Sequence, residues 1–188
     1  SPLYSVDELA HQVADSGTSI LFTVSAAALL PTAIKVLDNS SLKELVVGSV
    51  AEALPRAKSW AYRLFKGKDI AAIPDDLRIT HYADLIANDG EYEDQLCDPE
   101  KDIAQLQYTG GTTGTPKGAM LSHQNMTANS RQINMLDPHS RINDPVDTAP
   151  DRILGVLPFF HVFANATVLN RTVNNGGEIV MLPRFEAK

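Results

Sequence analysis

The sequence predicts an α/β fold of alternating strands and helices, with a parallel or mixed sheet and flanking helices. Two observations carry this. Apolar runs of strand length, such as "SILFTV" and "EIVMLP", recur between segments whose apolar residues repeat at helical spacing. Gly17, Gly176 and Gly177 stop helical patterns, and Pro158 closes a strand.

In order, Ser5 to Asp15 reads as a helix, with Val6, Leu9, Ala10 and Val13 on one face and acids early. "SILFTV" follows as a buried strand, Ala26 to Leu37 as a second helix and "LKELVVGSV" as a second strand. Residues 52–76 break the rhythm: Arg56, Lys58, Arg63, Lys66 and Lys68 surround a helical stripe of Ala57, Trp60, Ala61, Leu64 and Phe65. From Asp84 to Asp102 acids dominate, as in a solvated connection. "AQLQY" then alternates, with Ala104, Leu106 and Tyr108 on one face and both glutamines on the other. "AMLS" is a short strand, and Ser122 is placed to cap a helix reaching about Leu136. "NDPVDTAPD" reads as a loop and "RILGVLP" as a strand. His161 to Asn174 follows as a helix whose Val162, Ala166, Leu169 and Val173 share a face, and "EIVMLP" is the last strand.

Composition narrows the function. Hydrophobic residues are 44% and charged residues 21%, ordinary for a globular domain. A net charge of -7 argues against a broad nucleic-acid surface, so an anionic ligand must be held locally. Cys97 is the one cysteine, which fits a reducing compartment, and no Cys/His spacing suits zinc. The longest apolar stretch is interrupted by polar residues and Pro31, and no secretory signal opens the chain. A cytoplasmic protein is expected.

One segment asks for a ligand. "QYTGGTTGTPKGAMLSH" gathers Gly110, Gly111, Gly114 and Gly118, with Thr109, Thr112, Thr113, Thr115 and Lys117 among them. Glycines let backbone N–H groups approach a phosphate chain, threonine hydroxyls add donors, and Lys117 adds a point charge. Apolar strands on both sides argue against a free linker. Pro116 before Lys117 and a strand after Gly118 separate this loop from the Gly-Lys-Ser/Thr phosphate loop that opens a helix. His161 stands just past the carboxyl end of a strand, where open α/β sheets place ligands, although a helix-start histidine with no catalytic duty is common. His11, His81, His123 and His139 read as structural or surface residues.

The motif "YTGGTTGTPKGAMLSH" resembles the signature loop of the adenylate-forming enzymes, and "LPFFHVF" at 157–163 is similar to that superfamily's next motif. The opening "SPLYSVDELAHQVADSG", the segment "DIAQLQYTGG" and the basic insertion look most like long-chain fatty-acid–CoA ligases (acyl-CoA synthetases). The resemblance implies that 1–188 is part of an N-terminal adenylation domain. Within it, 52–98 would be a variable insertion and acidic connection, and 103–188 the ATP phosphate loop and acyl-pocket segment. Thr109, Gly110, Gly111, Thr112, Thr113, Gly114 and Lys117 would bind ATP, with Thr112 near Mg2+. His161 would lie by the acyl carboxylate as a catalytic candidate, and Val162 and Phe163 would line the acyl chain.

The implied reaction activates a fatty acid with ATP as acyl-AMP and transfers the acyl group to coenzyme A. The loop does not report acyl length, so an aryl- or dicarboxylate-CoA ligase stays open, as does a non-catalytic ATP-binding module. Later family motifs are absent: the Tyr-Gly-x-Thr-Glu block, the ribose-binding aspartate, the hinge and the C-terminal lysine. With no initiator methionine before Ser1, this implies an internal piece that is inactive alone. Residues 56–68 have two readings: a surface helix packing Trp60 and Leu64 on its own domain, which is the one expected, or an interfacial helix at a membrane.

Overall fold

The computed structural model describes residues 4–109, 116–137 and 151–182. They fall into two compact units, 1–94 and 95–188.

In the first unit, α1 (Val6–Ser16) begins at Ser5, whose hydroxyl accepts the Glu8 N–H while the Glu8 carboxylate accepts the Ser5 N–H at 2.8 Å. The Ser5 N–H first, and next the Ser5 hydroxyl, which donates to the same carboxylate at 2.8 Å, hold the Glu8 carboxyl below its ordinary pKa. Gly17 ends the helix at φ 66°, a conformation glycine adopts without strain. β1 (Ile20–Val24), α2 (Leu30–Asn39), β2 (Glu44–Gly48), α3 (Arg56–Phe65), a 3-10 turn (Gly67–Asp69), β3 (Ile79–His81) and α4 (Tyr82–Leu85) follow. The sheet is parallel in the order β1-β2-β3. Its middle strand buries Leu45, Val46 and Val47 in succession, as a strand covered on both faces must. Val13 of α1 and Leu30, Ala33, Val36 and Leu37 of α2 join Leu45 and Val47 in the core.

Several expectations change here. β1 is an edge strand, not a buried one, with Ile20 45% and Phe22 60% exposed. The second helix starts later than its pattern suggests, because Ala26 forms a bridge to Ile70 and the chain turns before Leu30. α3 forms where its stripe predicts but buries none of its residues. Trp60 is 69% exposed and Leu64 60%, while Ser59, Ala61 and Tyr62 are half-buried. The expected packing of Trp60 and Leu64 on their own domain is therefore not found: the stripe faces outward. Residues 84–97 of the acidic run are exposed.

In the second unit, β4 (Ile103–Thr109) and β5 (Lys117–Ser122) form an antiparallel hairpin. α5 (His123–Leu136) follows, capped as expected: the Ser122 hydroxyl accepts the Asn125 N–H, and Asn125 Oδ1 accepts the Ser122 N–H at 3.0 Å. β6 (Arg152–Gly155) and β7 (Glu178–Met181) are parallel. Joining them is a helical run of α6 (Val162–Ala164), a π turn (Asn165–Asn170) and α7 (Arg171–Asn174). Gly177 is required by close approach, since a Cβ there would meet the Asp151 carbonyl oxygen at 2.7 Å.

The helical run buries Ala164, Val168 and Thr172, not the expected face, for Val162 is 51% and Val173 70% exposed. A uniform helical period cannot anticipate a π turn, which shifts the faces of the residues after it. Asn170 donates to Asn165 Oδ1 at 2.8 Å across that five-residue spacing.

Candidate functional site

The Gly/Thr segment is flanked by the hairpin strands, whose residues Thr109 and Lys117 pair with one another. Gly110 to Thr115, including Thr112 and Thr113, lie outside the described residues. Gly118 has a local reason of its own: it faces Tyr108, whose ring would stand 3.1 Å from any Cβ.

Side chains alternate along the hairpin, and paired residues share a face. Leu106 and Met120 belong to one face; Gln105, Leu121, Gln107, Ala119, Thr109 and Lys117 belong to the other. That second face meets a cleft of about 730 Å³ lined by Gln105, Leu121, residues of α5 and residues of the 162–167 stretch. Thr109 thus lies on the cleft face, roughly 14 Å along the strand from Gln105.

Val162 and Phe163 line the cleft. None of its lining residues is ionisable: amides of Gln105, Asn125, Asn129, Gln132 and Asn165 and the Thr167 hydroxyl alternate with apolar groups such as Met126 and Ile133. Such a wall can orient a ligand and shelter apolar surface, but it holds no proton donor of carboxylic or imidazole type. His161 is not among the lining residues. It is the N-cap of α6, and its Nδ1 accepts the Phe163 N–H at 3.2 Å, so the neutral ring carries its proton on Nε2.

Two features escaped the sequence reading. The first is a relay: Gln105 donates to Gln107 Oε1 at 2.6 Å, and Gln107 donates to the Phe160 carbonyl at 3.2 Å. It fixes the peptide just before His161 to the hairpin. The period of two correctly separated the glutamines from the apolar face, but the glutamine side turns inward and Leu106 stays 36% exposed.

The second is a polar network between α5 and α7. Asn134, fully buried, accepts Arg171 Nε at 3.1 Å and Asn175 Nδ2 at 2.9 Å, and donates to Asn175 Oδ1 at 2.7 Å. Arg171, 17% exposed, ion-pairs with Asp137 and, at 3.8 Å, with Asp151. Asn, Arg and Asp scattered over forty residues give no sequence signal for this.

Among the described residues, no three His, Cys, Asp or Glu side chains group to hold a metal ion. No helix among them is long and apolar enough to cross a membrane.

A family model described as "AMP-binding enzyme" matches residues 1–188. The chain is 36% identical over 193 residues to a long-chain-fatty-acid–CoA ligase of Bacillus subtilis, covering 99% of this chain and 32% of that one. It is 32% identical to a long-chain-fatty-acid–CoA ligase of Escherichia coli O6:H1, covering 97% of this chain and 32% of that one. The chain thus spans about a third of the length of these curated relatives. Among solved structures, a red-emitting luciferase from Phrixothrix hirtus superimposes with a TM-score of 0.66 at 23% identity, covering 100% of this chain and 31% of that one. That likeness shows the fold: mixed α/β with parallel and antiparallel strands and flanking helices, the architecture the alternation predicts.

Proposed function

This chain belongs to the AMP-binding enzyme family, and we propose that it supplies the ATP phosphate loop and part of the acid pocket of an AMP-forming long-chain fatty-acid–CoA ligase. In this reading, 103–188 carries the loop and pocket wall, and 52–98 is the variable insertion and acidic connection. The observation that carries it is the hairpin, which pairs Thr109 with Lys117 on the face that borders the cleft lined by Val162 and Phe163.

The chain's residues divide the work by position. Backbone N–H groups of Gly110, Gly111 and Gly114 and hydroxyls of Thr109, Thr112 and Thr113 would hold the triphosphate, and Lys117 would neutralise part of its charge. The apolar side of the cleft, with Val162 and Phe163, would seat the hydrocarbon and leave the carboxylate near the His161 end. A carboxylate oxygen then bonds to the α-phosphorus as the bond to pyrophosphate breaks, and pyrophosphate leaves with that electron pair. In the second half, the thiol sulfur of coenzyme A bonds to the acyl carbon, AMP leaves, and the thiol proton passes to solvent. His161 Nε2–H, with Nδ1 engaged by the helix, is a donor suited to orienting the carboxylate. Mg2+, which the resemblance puts beside Thr112, would supply further counter-charge to the phosphates. Positioning and charge neutralisation are what such transfers chiefly need.

The test is ATP–pyrophosphate exchange with palmitate in the full-length protein. Thr112→Ala and Lys117→Ala should each lower kcat/KM for ATP about ten- to a hundredfold, the effect of losing one charged hydrogen bond of ~1.5–3 kcal/mol. Fatty-acid affinity should stay nearly intact. Wild-type ATP kinetics in both variants would remove the phosphate-loop assignment.

A further inference from the structure

α3 is an amphipathic helix mounted with its apolar side outward. The large apolar residues of the stripe, Trp60, Leu64 and Phe65, are 69%, 60% and 79% exposed, whereas the small Ala61 within it and Ser59 and Tyr62 on the other side are half-buried. At about 100° per residue, Arg56 and Arg63 border one edge of that stripe and Lys58 the other. Lys66 and Lys68 follow, and residues 56–68 contain no acid in a chain whose net charge is -7. Little of this charge is neutralised at home. Arg63 meets Glu52 at 3.8 Å and Lys66 meets Asp69 at 3.7 Å, both pairs more than half exposed, and exposed pairs bind weakly. Among the described residues, no carboxylate pairs with Arg56, Lys58 or Lys68.

From this geometry we propose that α3 docks the protein on an anionic lipid bilayer surface. Trp60, Leu64 and Phe65 enter the headgroup–acyl boundary, and the flanking arginines and Lys58 reach back to lipid phosphates. A protein partner could cover the apolar stripe, but the cations along both of its edges match a plane of negative charge. The half-buried Ser59–Tyr62 side stays on the protein, so docking needs no unfolding of the first unit. The proposal does not depend on the reaction proposed above.

Flotation of the full-length protein with phosphatidylglycerol/phosphatidylcholine vesicles, and with phosphatidylcholine alone, tests it. Binding to the anionic vesicles should fall at least about tenfold in about 1 M salt, where the screening length is roughly 3 Å. Combined Arg56→Gln, Lys58→Gln and Arg63→Gln should remove that salt-sensitive part. Trp60→Ser with Leu64→Ser should weaken binding to both vesicle types while leaving melting temperature and solution mass unchanged. Absence of wild-type binding to anionic vesicles overturns the proposal, as does binding indifferent to both variants. A lowered melting temperature in the Trp60/Leu64 variant, whatever its vesicle binding, would place the stripe against its own protein. A changed solution mass would place it against a second copy.

Discussion

Gln107 shows how one side chain can govern a segment distant in sequence. Its amide N–H donates to the Phe160 carbonyl, and its oxygen is held by Gln105, so its rotamer is set from both ends. Gln107→Leu keeps the bulk but leaves that carbonyl without its donor. The bond is exposed, so water takes over part of it and its loss costs about 0.5–1.5 kcal/mol. Through the peptide it holds, the loss should reach His161 and Phe163 rather than the phosphate loop. We expect the KM for fatty acid to rise about tenfold with the KM for ATP within about twofold of wild type. Steady-state kinetics with each substrate varied in turn would show it. Equal change in both constants would mean that Gln107 supports the unit generally.

Elements are tied by a few long polar side chains. Arg78, just before β3, donates to Asp76 at 2.7 Å, to Asp38 of α2 at 2.7 Å and to the Leu37 carbonyl at 3.4 Å. It pins the start of one strand to the end of a helix forty residues earlier. Hydrogen bonds from the Arg78 side chain, and next from its backbone N–H, lower the Asp76 carboxyl to about 2. In the unfolded chain that group titrates near about 4. A carboxyl lowered by folding favours the folded state at pH above its unfolded value and loses that contribution as pH falls through its folded value. Wild type should therefore lose an increment of stability between about pH 4 and about pH 2 that Asp76→Asn lacks. Urea midpoints above, within and below that window check this, and parallel curves would show that the contact adds nothing.

At the scale of the whole molecule, the described part of the candidate site is a neutral cleft, with Lys117 as the cation on the hairpin face that borders it. In the proposed function, the net charge of -7 repels an ATP anion at long range, so its binding would have to come from donors at contact distance. The chain also covers about a third of the relatives it matches. The 188-residue chain alone should accordingly give no ATP–pyrophosphate exchange above background, while the full-length protein does. Exchange by the isolated chain at the full-length rate would contradict the assignment of the remaining chemistry to motifs it does not contain.

The family, the α/β alternation, the Ser122 cap and the end of α5 near Leu136 were legible because each rests on residues close in sequence, whereas Ser5, read as the first helical residue, is the cap before it. A cap needs only residues three apart, and a family motif is one contiguous segment. Val162 and Phe163 line the cleft, and the acyl-chain role that the motif "LPFFHVF" implies for them belongs to the proposal. Tertiary structure decided the rest. Periodicity says that a strand or helix has two unlike faces, but not which one meets a neighbour. The glutamine side of β4 turns to the cleft because Phe160 offers it an acceptor, and α3 presents Trp60 outward because Ser59 and Tyr62 take the inner side. The Asn134–Arg171–Asp137 network and the π turn likewise depend on partners or backbone geometry that local pattern does not encode. Burial is a property of pairs of surfaces, and a sequence displays only one of each pair at a time.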